Sequence, residues 1–397
     1  MPADPTRRMM AVVCIVFLAA GLSSSAIGPL MQELAVQADT DVVSAGGIVT
    51  AIFATSLLAQ IAVAMLQKRV GHRRIMLGGM ILSILGVTGI VLAGSLPMLL
   101  IAAAVKGLGD SGMLLVGNVV AAEASTGAGP LNLVNGMFGV GAILSPALVS
   151  LSILHLGGGV PALWASPLAA GLAFVLLLWW HPAPAVHAAP SGQASLAVLR
   201  TGMIWKVTLF VLMEVAVEVG ISSWMPVMLT GATSLTLPEA AIVMSVYWFL
   251  VTAARFGAVW ASRYLTPLRL LTMALMLCLT GALLLVAGLA FGHAWLAVLA
   301  VGLMGVAIGP LLPTSLSILR AAYPRDAGFA TGVAFGSSNL GAAVVPAIMG
   351  ALIVTMGPAI GAASLFVPMG CLVLALVMIW LEIRGWDGPA APATAGP

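Results

Sequence analysis

The residues best equipped for chemistry stand where an apolar chain has least room for them. In the stretch 105–118, VKGLGDSGMLLVGN, Lys106, Asp110, Leu114 and Asn118 recur at every fourth position. On a helix they share one face. A charge on that face costs about 3 kcal/mol against lipid, so the face must meet protein or a water-filled cavity. Glu214 and Glu218 repeat the spacing further along the chain. Two carboxylates one turn apart in a low dielectric resist ionising together. One of them can therefore carry a proton at neutral pH and release it when its surroundings change. Asp110, Glu218, Glu214 and Lys106 are the candidate coupling residues. The plainer alternative is a fixed Lys106–Asp110 pair that lets the segment enter a membrane, with a glutamate as standing counter-ion.

The elements that hold these groups are membrane spans. The chain has 397 residues, 61% hydrophobic and 7% charged, against about 25% charged in a soluble domain. Apolar runs long enough to cross a bilayer recur throughout. An all-α membrane protein follows, because a helix satisfies its own backbone groups in lipid. The short alternating segments of a membrane β-barrel are absent from the sequence. Twelve spans are expected at 10–34, 43–66, 74–94, 97–122, 130–154, 159–181, 202–230, 237–262, 267–291, 294–320, 327–355 and 359–383. Residues 182–200, opening with a Pro/Ala-rich run, read as a linker between halves at 1–181 and 201–385, and 386–397 as a disordered tail. No cleavable signal peptide is evident.

Thirteen of the fifteen Lys and Arg fall at one end of the spans, leaving Lys106 and Arg255 inside them. That bias puts the basic end, with both termini, in the cytoplasm. The net charge of +3 is spread along the chain and does not suggest nucleic acid. Cys14, Cys278 and Cys371 lie in apolar runs and form neither a disulfide framework nor a metal set. The halves look duplicated: GAILSPA at 141–147 and GAAVVPA at 341–347 occupy equivalent spans, each preceded by Phe-Gly. Two parallel six-helix halves are a transporter plan with a site between them near the midplane.

Several stretches carry a family resemblance. The loop Ala64-Met65-Leu66-Gln67-Lys68-Arg69-Val70-Gly71-His72-Arg73-Arg74 is similar to the basic GxLaDRxGxRR loop of the major facilitator superfamily. Ala64 replaces its leading glycine and Lys68 its aspartate, so the acidic member of the family's cytoplasmic charge relay is missing. Within the superfamily, three stretches resemble the fucose–galactose–glucose:proton symporter branch and its bacterial relatives. Gly107 to Asn118 is similar to GxGxGxxDxxxN, residues 131–142 to LNxxHxFFGxGA, and residues 218–224 to GAEVGIGSW. The branch's fourth-span acid aligns with Leu114, while the acid here is Asp110, one turn earlier; its fifth-span histidine is Asn135. The resemblance implies a major facilitator fold whose first, fourth, seventh and tenth spans line a central cavity, so that Lys106 could pair with Glu218 or Glu214 across it in one state and with Asp110 in another, the kind of differential contact that couples an ion to a conformational change.

Arg255, in AARFG, resembles the superfamily's eighth-span GR. It is a gating candidate, together with Glu123 at the end of the fourth span and Arg69 and Arg73 of the basic loop. Asn118, Asn135, Asn339 and Gln60 offer amides to solute hydroxyls, and Trp224, Tyr247 and Trp248 offer rings to a sugar face. Helix–helix contacts and interface aromatics are equally good readings of each. Four asparagines in all are few for a solute with many hydroxyls.

No HExxH, CxxC, GxSxG or Walker loop occurs, so neither an enzyme, a cofactor, a metal nor ATP drive is indicated. The expected function is secondary active transport of a small polar solute, a sugar by resemblance. The coupling ion is a proton, with sodium left as an alternative, and the protein acts as a monomer in the bacterial inner membrane. A proton-driven exporter of drugs or metabolites and a non-transporting membrane sensor are the rival readings.

Overall fold

The computed structural model describes residues 5–123, 129–179 and 196–384. Residues 182–195 of the linker, the tail 386–397 and the Glu123 side chain lie outside the described residues. The helices are α1 (Pro5–Gln37), α2 (Val42–Val70), α3 (His72–Val91), α4 (Leu96–Glu123), α5 (Gly129–Leu156), α6 (Ala165–Trp179), α7 (Gly202–Ala232), α8 (Leu237–Ala261), α9 (Pro267–Ala290), α10 (Ala294–Ala322) and α11 (Ala327–Met356). The last span is broken into α12 (Pro358–Ala363) and α13 (Phe366–Arg384). One-turn 3₁₀ helices, Val160–Trp164 and Leu196–Arg200, precede α6 and α7. Eleven segments among the described residues are long and apolar enough to cross a membrane. The twelfth is α7, which holds Lys206, Glu214 and Glu218 and is buried through most of its middle. This is a multi-pass membrane protein.

Local chemistry ends the helices where the sequence turns polar. Asp41 accepts from the backbone N–H of Val43 at 2.9 Å and of Ser44 at 3.0 Å, opening α2. Thr236 and Glu239 form a reciprocal capping box at the start of α8. Arg73 donates to the carbonyls of Leu177 and Leu178 at 3.1 and 3.4 Å, closing the end of α6. At the opposite end Gln37 donates to the carbonyls of Ile90, Val91 and Ala93, tying α1 to the end of α3. Glu33 accepts from the N–H groups of Gly159 at 2.7 Å and Val160 at 3.1 Å. Prolines lie inside α1, α5, α7, α10 and α11. Neighbouring helices can re-satisfy the backbone groups they free.

Helix pairing repeats six spans on. In the first half α3 lies against α4, α1 against α5 and α2 against α4; in the second α9 lies against α10, α7 against α11 and α8 against α10. The halves meet through α2 with α11, α5 with α8, and α1 with α7. Gln32 donates to Thr230 at 3.2 Å and Thr50 to the Ala343 carbonyl at 2.9 Å across this seam. Gly28 packs directly on the Ser222 carbonyl, and the Trp224 ring fills the space between Gly46 and Gly350. These four contacts lie between mid-depth and the end away from the basic loops, while Gly139 of α5 faces Thr252 of α8 and Gly336 of α11 faces Gln60 of α2 on the side of those loops.

Candidate functional site

The two acidic clusters sit in different halves. In the first, Lys106 and Asp110 form an ion pair within α4 and are 1% and 6% exposed. Ser83 of α3 donates to the other Asp110 oxygen at 2.7 Å. Gly86 lies against the Lys106 backbone and Gly109 against Ser83. On the other side of α4, Thr55 and Ser56 of α2 donate to the carbonyls of Ala104 and Gly107 at 3.0 and 3.1 Å, and Ser111 donates to the Ser56 carbonyl at 3.2 Å. The anomaly in the apolar run is thus a closed polar seam between α2, α3 and α4. Lys106 is engaged by Asp110 in this conformation, and Glu218 by a different cation.

That cation is Arg255. Its Nη2 stands 3.4 Å from Glu218 Oε2, joining α7 to α8, and the two side chains are 30% and 16% exposed. This pair is partly open at its surface, in contrast to Lys106–Asp110. One turn away Glu214 is fully buried and neither of its carboxyl oxygens has a hydrogen-bond partner. Thr208 of the same helix and Ser245, Tyr247 and Trp248 of α8 also carry buried polar side-chain atoms without partners. Tyr247 and Trp248 meet edge-on with centroids 5.5 Å apart. Tyr247 and Cys278 stand within electrostatic range of Glu214. Unpartnered buried polar atoms are rare in folded proteins, and here five residues supply them within two helices. The arrangement offers a partly exposed ion pair beside an enclosed carboxyl that can hold or release a proton.

Comparison with known proteins follows from this geometry. The profile of the Major Facilitator Superfamily matches residues 13–302. The chain belongs to the major facilitator superfamily. Membership makes it a transporter and not an enzyme. Among solved structures it is similar to a D-xylose-proton symporter, at TM-score 0.78 and 15% identity, over 95% of this chain and 98% of that one. It is similar also to the nucleoside transporter NupG, at TM-score 0.72 and 14% identity, over 96% and 99% of the two chains. A mutant form of NupG gives TM-score 0.74 at 15% identity over 95% and 99%. At these identities the likeness is one of fold. A comparison with curated sequences gives no match.

The remaining candidates of this superfamily member are scattered. Asn118 and Asn135 lie 3.4 Å apart and bridge α4 to α5 toward the basic end. Asn339 is buried and donates to the carbonyl of Gly336 on its own helix at 3.0 Å. Trp224 is enclosed, with Nε1 donating to the Pro346 carbonyl of its own half at 2.7 Å and its ring against Gly46 of the other, so it stands in the seam between halves. Arg69 is exposed, and Arg73 is engaged at the end of α6 within the first half. Sequence reasoning missed Ser83, Gln32, Thr50, Thr208 and Ser245. Serines and threonines in an apolar helix carry no period of their own, and only the facing helix shows which of them matter.

Proposed function

We propose that this protein is a proton-coupled secondary transporter of a small polar solute, in which halves near 1–181 and 201–385 rock about a central site. The observation that carries the reading is the α7–α8 cluster: a partly exposed Glu218–Arg255 pair one turn from Glu214, whose buried carboxyl has no partner. A carboxyl so placed exchanges a proton when the halves rearrange and change what faces it. Family membership supports transport, and a structural neighbour, a D-xylose-proton symporter, supports a proton as coupling ion. Glu214 and Glu218 are the coupling acids in this reading. Lys106, Asp110 and Ser83 act as a clamp that fixes α3 on α4, and Arg255 belongs to the site as much as to a gate. The side toward the basic end faces the cytoplasm, with both termini, and the protein works as a monomer in the cytoplasmic membrane. The seam contacts at the other end support a conformation closed to the outside.

The test is transport into proteoliposomes under an imposed proton gradient, with a pH-sensitive dye inside. Solute entry accompanied by internal acidification, lost in Glu218→Gln and Glu214→Gln, is expected. Solute entry with unchanged pH dependence in both variants removes the assignment. Efflux of hydrophobic cations as the sole activity would favour an exporter.

A further inference from the structure

Arg255 is under-used for a buried-helix arginine. A guanidinium presents five N–H donors, and Arg255 makes one long contact, at 3.4 Å, with a single Glu218 oxygen. A committed arginine–carboxylate pair is shorter and bidentate. Of the two cations deepest within the described spans, Lys106 is closed off at 1% exposure while Arg255 is 30% exposed. Trp248, whose indole N–H is buried without a partner, stands seven positions before Arg255, two turns along the same face of α8. A partly exposed cation with free donors and a second donor further along the same face describes a receptor for an acceptor-rich anion.

Resting on the transporter reading above, we infer that the solute is a small organic carboxylate, and that its carboxylate replaces Glu218 as the partner of Arg255. Charge bookkeeping then fixes the coupling. Before binding, Glu218 and Arg255 sum to zero. The arriving anion pairs with Arg255, and Glu218 takes one proton on its carboxyl oxygen, so the site again sums to zero. Net charge in the span is costly, so one anion travels with one proton and the step is electroneutral. The titratable and charged groups that face Glu218 are Glu214 on its own helix α7 and Arg255 and Tyr247 on α8, with Cys278 of α9 behind Glu214. Glu214 stays one turn deeper as the second place the proton can reside.

The experiment pairs binding with transport. Purified protein is heated with millimolar galacturonate or gluconate, and in parallel with galactose or glucose. The carboxylates raise the unfolding temperature and the neutral sugars do not. Affinity for the carboxylates falls about tenfold or more in Arg255→Gln and is partly kept in Arg255→Lys, which serves if Arg255→Gln fails to fold. Glu218→Gln, which frees the guanidinium, binds them more tightly and with no pH dependence. In proteoliposomes carboxylate uptake follows the pH gradient and ignores a potassium–valinomycin potential. Equal stabilisation by galactose and galacturonate, unaltered carboxylate binding in both Arg255 variants, no carboxylate shift in either wild type or Glu218→Gln, or uptake driven by the potential overturns the inference. Proton entry driven by galactose would do so while leaving the transporter reading intact.

Discussion

Removing one member of a closed ion pair and removing both have opposite consequences. Asp110→Asn leaves the Lys106 ammonium uncompensated at 1% exposure, and about 3–5 kcal/mol of stability is lost. Lys106→Met with Asp110→Leu removes both charges and keeps the volume, so it unfolds close to wild type; thermal unfolding in detergent compares the two. If Asp110→Asn abolishes proton-coupled uptake at unchanged stability, the clamp role fails and Asp110 joins the coupling acids. The Lys106–Asp110 spacing was legible in the sequence because a helix brings positions four apart together. Its third member, Ser83, was not, nor was Arg255 as partner of Glu218 across 37 positions, because helix packing and not periodicity chooses such neighbours. Lys106 therefore looked free to switch partners, whereas the fold gives each acid cluster its own cation.

Elements were easier to read than their contacts. Hydropathy located every span, since lipid demands a continuous apolar run whatever packs around it. The break at Ser364 and Leu365 between α12 and α13 was missed, because both pieces remain apolar and the interruption is a turn of backbone alone. A cap such as Asp41 is local and gives a local prediction. The Ser44 hydroxyl and backbone N–H, with the Val43 N–H, hold the Asp41 carboxyl below its ordinary value. With the folded value depressed, its contribution is present above the unfolded carboxylate value and is lost as pH falls through the folded one. Asp41→Ala should therefore destabilise α2 at neutral pH, and the difference from wild type should vanish on acidification; a gap that widens in acid contradicts the cap. Gly46 offers a second test, since an added Cβ there would stand 2.5 Å from the Trp224 ring. Gly46→Val should pry α2 from α7 and raise the labelling of cysteines introduced on the outer side of the seam, and unchanged labelling would mean the ring yields instead.

At the scale of the molecule, the motif shared by 141–147 and 341–347 foretold a duplication, and the helix pairings of the two halves repeat accordingly. The resemblance to a sugar-symporter branch rests on short motifs that spell close-packed glycines as much as ligand contacts, so it carried the fold further than the solute. Gln32 and Thr230 bridge the halves at 3.2 Å. A Gln32→Cys, Thr230→Cys pair should crosslink under mild oxidation and arrest transport until reduced; transport that continues in the crosslinked protein would exclude rocking at this seam. Trp224 has a further consequence. It is one of ten tryptophans, yet it is held between two glycines of different halves with its N–H bonded to Pro346. Any turnover that parts the halves must draw Gly46 away and wet the ring face it covers, while the bond to Pro346, which lies within the second half, holds the indole in place. The transport cycle therefore carries its own optical signal: a fluorescence component that reddens and becomes quenchable each time the outer seam opens, readable in unlabelled protein.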